Sequence, residues 1–207
     1  MDSTPLILPP ATPAAFLSHI LDAPPPPNTT VLICAARSDF LRSAVSQLHD
    51  QPAEEDVLRA TLSRVAVARR VRVAFAPSVA HLRAHLSASV LPGAAHLLVY
   101  GLLDLHRGGG WWSAQAIGCS AACLVEAATR AGSAAVMMEP TGWKAEGEEK
   151  EEEEEVARRK REGRWAAYEE QIPLLSSTAE PREDGTWGVP CTSARVILQR
   201  WFTFDDS

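Results

Sequence analysis

The sequence predicts an α/β fold of three layers, a mainly parallel sheet between two sets of helices. Three observations carry that prediction. Short apolar runs of strand length, residues 30–35, 71–75, 96–101 and 134–138, are separated by stretches with apolar residues at helical spacing. The runs are apolar at nearly every position rather than at every second one, the pattern of strands covered on both faces. Strand and helix alternate along the chain, and that alternation builds a parallel sheet through crossover connections.

Thr12 followed by Pro13 reads as a helix start, a capping hydroxyl before a proline at the first helical position. Phe16, Leu17, Ile20 and Leu21 share one face of that helix. Pro24 to Pro27 end it and make a stiff linker. Residues 1–27 therefore read as an N-terminal helix with a proline-rich linker, and residues 28–207 as the α/β domain. After the strand at 30–35, Ser38 is expected to cap a helix carrying Phe40, Leu41, Ala44, Val45 and Leu48. A second helix is expected over 54–70, its acids first and its arginines last, as the helix dipole favours. Beyond the strand at 71–75, Ser78 caps a helix holding Val79, Leu82, Leu86 and Val90. The strand at 96–101 leads through a turn at 108–110 into a helix over 113–130, closed by Gly132. The strand at 134–138 follows, and 193–204 reads as a late strand because it opens with period-two alternation.

The chain has 207 residues and a net charge of −6, unevenly placed. Residues 1–143 carry ten basic and ten acidic side chains, and every base there is arginine. All three lysines fall in the tract 144–164, which holds nine glutamates and four arginines and reads as a charged insertion. That balance argues against a broad cationic nucleic-acid surface but leaves room for a local one. No apolar run approaches the ~20 residues a membrane span needs. The N-terminal stretch lacks the basic region of a signal peptide, and four cysteines do not make a disulfide scaffold. A reducing compartment, nucleus or cytoplasm, is the expectation.

Phosphate sites in such folds use a glycine-rich turn after an early strand, where backbone amides must approach the anion. The first glycine here is Gly93, so no P-loop or dinucleotide turn precedes it. No G-x-S-x-G elbow is present. His81 and His85 lie four apart on a helix without the glutamate of H-E-x-x-H. Cys119 and Cys123, also four apart, read as small buried residues. No metal or other cofactor is expected. Asp104 and His106, past the third strand, and Glu139, after the fourth, sit where α/β active sites gather and would make an acid/base cluster; as polar loop residues they would carry no chemistry. Of the six tryptophans, most read as packing at the sheet rim, while Trp201 with Phe202 reads as an edge contact.

The segment order resembles the RecA-like recombinase core. Residues 31–48 (VLICAARSDFLRSAVSQL) are similar to the strand and helix that follow that family's P-loop helix. Residues 71–86 (VRVAFAPSVAHLRAHL) resemble its next strand and helix, 96–106 (HLLVYGLLDLH) its Walker B strand, and 111–139 the following helix and strand. Residues 193–204 resemble a late core strand. The P-loop is missing, and Gly101 stands where the Walker B acid belongs, with Asp104 three residues late. The resemblance therefore implies a pseudo-ATPase, a non-catalytic subunit of a hetero-oligomer with another RecA-like subunit. It points first to the recombinase paralogues, including the Shu complex of homologous-recombination repair, and alternatively to the RecA-like ring of the Elongator tRNA-modification complex. A small α/β enzyme using Asp104, His106 and Glu139 is the third reading. In recombinases a DNA-binding loop follows the fourth strand, which makes Arg158, Arg159, Lys160, Arg161 and Arg164 candidate contacts to DNA or tRNA; in the other reading they are neutralised by Glu151 to Glu155. Phe16, Trp201 and Phe202 are the candidate partner anchors. The family's tethering pattern, Phe followed three residues later by Ala, is absent, since Leu17, Ser18 and His19 follow Phe16.

Overall fold

The computed structural model describes residues 4–22, 29–50, 61–88, 96–141, 165–175 and 190–205. Six parallel strands form the central sheet in the order β3-β2-β4-β5-β1-β8, with β1 at Leu6–Ile7, β2 at Thr29–Ile33, β3 at Val71–Phe75, β4 at His96–Tyr100, β5 at Ala134–Met138 and β8 at Thr203–Phe204. A small antiparallel pair, β6 (Gln171–Pro173) and β7 (Cys191–Ser193), stands apart from it. This is the three-layer α/β fold that the sequence predicts, with a parallel sheet consistent with a RecA-like core.

The order fixes which helix lies on which face. The chain leaves β1, steps over β5 and β4 to β2, and continues outward to β3; there it reverses, through β4 and β5, to β8. Right-handed crossovers in opposite directions put their helices on opposite faces. Accordingly α1 (Pro13–Asp22), α2 (Arg37–Asp50) and α3 (Leu62–Ala68) pack together on one side. On the other side α4 (Val79–Ala88), α5 (Leu102–Gly108) and α7 (Ala194–Leu198) gather around α6 (Ala114–Arg130). The pleat divides the apolar strand residues between two cores. Val31, Ile33, Leu98, Tyr100, Val136 and Met138 meet Phe16, Ile20 and Phe40. Their neighbours Leu32, Leu97, Val99, Ala135 and Met137 meet the α4–α7 layer. A strand apolar at every position is what this two-sided burial requires.

Local signals hold at several ends. Thr12 caps α1, its hydroxyl accepting from the Ala15 amide at 3.1 Å. Ser78 caps α4 and Ser113 caps α6 in the same way. Gly132, at φ +64°, closes α6: its amide donates to Thr129 and that of Ser133 to Ala128, the double bond of a Schellman end.

Elsewhere the structure corrects the sequence reading. Ser38 lies inside α2, because the Ala36 carbonyl already accepts from Asp39 and Phe40. The helix expected over 54–70 is not continuous, since Thr61 is extended and caps α3 with its hydroxyl; residues 51–60 lie outside the described residues, as does Val90. The late strand expected over 193–204 is broken by a helix: Ser193 ends β7 and caps α7, Ala194, Ile197 and Leu198 bury one helical face, and only Thr203 and Phe204 join the central sheet. Asp104 and His106 ride on α5 rather than on a loop. Leu6 and Ile7, assigned to no element from the sequence, form the strand between β5 and β8. Among the described residues no helix is long and apolar enough to cross a membrane.

Candidate functional site

Neighbouring strands whose helices leave to opposite faces open a crevice at their carboxyl ends, the usual ligand site of α/β sheets. Here β1 and β5 are such a pair, and the segment 8–12 lies over the crevice. It is stitched down. The Ala11 amide donates to the Glu139 carbonyl at 3.0 Å, and the Thr141 amide to the Ala11 carbonyl at 3.0 Å. The Tyr100 hydroxyl donates to the Ala11 carbonyl at 2.8 Å, and the Tyr168 hydroxyl to the Leu8 carbonyl at 3.4 Å. An anion at this place would need free amides. Pro9, Pro10 and Pro13 have none. Leu8 donates to Met137, Ala14 to the Gln47 side chain, Ala15 to the Thr12 hydroxyl, and Phe16 to the Thr12 carbonyl.

Glu139 follows β5 beneath this segment and is 2% exposed. Its carboxylate accepts the Leu103 amide at 2.9 Å. The preceding Gly101, at φ +84°, has no side chain to cap α5, so a glutamate from the neighbouring strand supplies the cap. Burial pushes the Glu139 carboxyl up to about 8; the Leu103 amide opposes the rise and the Asp104 charge adds to it. Glu139 is thus mainly a neutral acid near pH 7. Asp104 pairs with Arg107, which also holds Glu170 and lies 5.0 Å over the Trp112 ring.

His106 does not join them. It is fully buried, with Nδ1 2.8 Å from the Leu102 carbonyl and Nε2 3.1 Å from the Ser120 hydroxyl of α6. Burial, above all, lowers its pKa. Both ring nitrogens are thus occupied, so His106 makes no hydrogen bond to Asp104 or Glu139, whose charges do act on each other.

The partner candidates divide. Phe16 is 0% exposed and stacks on Tyr100, centroids 4.3 Å apart, because α1 covers the sheet of its own chain. Phe202 is likewise buried in the α4–α7 core. Neither is free to anchor a partner. Trp201 remains 39% exposed, beside a groove of about 450 Å³ between α6 and α7. Sequence reasoning found Trp201 but missed the rest of that groove; Ala114, Gly118 and Ala122, four apart on one helix, were the available signal. Arg158, Arg159, Lys160, Arg161 and Arg164 lie outside the described residues, as do Trp143 and Trp187. Cys119, expected to be buried, is exposed, because it faces this groove rather than the sheet. Among the described residues no three of His, Cys, Asp and Glu group to hold a metal. A scan of known protein families matches none of them to this chain, and a search of curated proteins returns no similar sequence.

Proposed function

We propose that this chain is a non-catalytic RecA-like subunit of a hetero-oligomeric complex that assists homologous-recombination DNA repair. The observation that supports this reading is the crevice between β1 and β5, which the chain's own segment 8–12 fills. The segment after β1 occupies the place where a phosphate-binding turn belongs, yet it is proline-rich, free of glycine and hydrogen-bonded to Glu139 and Tyr100. What such a core offers an assembly is shape: a rigid sheet and a surface for another RecA-like subunit. The basic cluster from Arg158 to Arg164 would add phosphate contacts to DNA.

The experiment is affinity recovery of the full-length chain from its own cells, with the co-purified chains identified by mass spectrometry. Recombinase paralogues in stoichiometric amount are the expected result. Recovery of Elongator subunits instead would overturn the repair assignment and move the chain to tRNA wobble-uridine modification. A lone chain with hydrolytic turnover would overturn the subunit reading altogether.

A further inference from the structure

We infer that the groove between α6 and α7 seats a segment of the partner subunit that presents one apolar side chain and one carboxylate. The inference rests on the subunit reading above and names the surface through which it acts. Leu174, Val196 and Trp201, which wall the groove, are 41%, 49% and 39% exposed. Clustered apolar exposure of this kind marks an interface, and tryptophan is the commonest anchor.

The floor has room for an inserted side chain. A Cβ built on Gly118 meets only the Ile197 Cγ2, at 3.9 Å, so the α6 backbone itself lines the bottom. Arg200 supplies the polar requirement. It is the one formally charged residue of the lining, and no carboxylate pairs with it among the described residues, whereas nearby Arg195 is held by Glu169. A cation at the edge of an apolar groove recognises an acid adjacent to an apolar anchor. The same feature disfavours a second copy docked groove to groove: an isologous interface must complement itself, and among the described residues of this lining no carboxylate stands to meet Arg200.

The probe is a displayed library of random peptides, each roughly 12 residues long, enough for a few helical turns. It is panned on the full-length chain alone, and Gly118→Leu is kept for the binding comparison. Leucine at a helical glycine raises helix propensity, so the variant's thermal midpoint should match or exceed the wild type. Enriched peptides are expected to share an aromatic or aliphatic residue beside Asp or Glu. They should bind Gly118→Leu and Trp201→Ala at least about tenfold more weakly. Arg200→Glu, a change at an exposed position, should lose the acidic peptides and select lysine-bearing ones in their place. Peptides without an acid, or equal binding to Gly118→Leu and to Arg200→Glu, would overturn the inference. A dimer of this chain that Gly118→Leu dissociates would overturn the stated occupant. Failure of the selection while recombinase paralogues still co-purify rejects the groove and spares the subunit reading; enrichment from a chain that is recovered alone rejects the subunit reading.

Discussion

Glu139 couples two separate parts of the fold through one side chain and one carbonyl. The carbonyl holds Ala11 and the carboxyl holds Leu103. Its folded pKa of about 8 lies above the ordinary carboxylate range, so the folded state keeps a proton that the unfolded state releases. Stability from this group therefore falls as pH rises toward about 8, by at most ~1.4 kcal/mol per unit. His106 acts in the opposite sense: its lowered pKa costs stability as pH falls below its ordinary value of about 6.5. Between roughly pH 6.5 and 8 the Glu139 effect should dominate. The thermal midpoint of the wild type should fall across that window, and that of Glu139→Gln, which keeps an acceptor for Leu103, should stay level. A wild-type midpoint that rises with pH there would contradict this. Gly132 gives a second test. Its φ of +64° strains any other residue, and no atom stands within 4 Å of a Cβ built there, so the cost is the backbone's alone. Gly132→Val should lose about 1–2 kcal/mol, a few degrees in thermal midpoint, with Gly132→Asn losing less. Such positions were legible because their signals are local: a hydroxyl or a glycine at a helix end specifies its own hydrogen bonds. Ser38 misled because a backbone carbonyl two residues earlier took that role.

At the scale of the element, long apolar strands and helices with several buried positions could be read, and the shortest elements could not. Leu6 and Ile7 give two residues, too few for any period to show, and only the tertiary pairing with β5 and β8 makes them a strand. The helix α5 starts at a glycine and is capped from another strand, so its own sequence carries no start signal. In α7 the run Val196-Ile197 has strand preference, yet Ser193 and the burial of Ala194, Ile197 and Leu198 fix a helix. The position of β1 makes a strong prediction. Removing residues 1–12 should abolish cooperative unfolding, because β5 and β8 would face an empty slot in mid-sheet. An unchanged melting transition, followed by near-ultraviolet circular dichroism, would show that β1 is dispensable. The milder Thr12→Ala should cost α1 about 1 kcal/mol by removing its cap.

At the scale of the whole molecule, the sheet order turns a list of elements into two faces and one carboxyl edge, and at that edge the crevice between β1 and β5 is closed by the chain's own segment 8–12. The absence of a glycine-rich turn was visible in the sequence; the hydrogen bonds that close the edge were not, since Ala11, Tyr100 and Tyr168 are far apart along the chain. Of the candidate site residues, Trp201 keeps its place on the surface, whereas Phe16 and Phe202 are consumed by the fold because an apolar residue reads the same whether its cover comes from within or from a partner. The most direct test of a subunit that carries shape without nucleotide chemistry is photolabelling of the natively recovered complex with an azido derivative of ATP, in the presence of magnesium. Competable label on a partner chain, and none on this one, is the result expected. Label on residues 8–16 of this chain that excess ATP removes would contradict it.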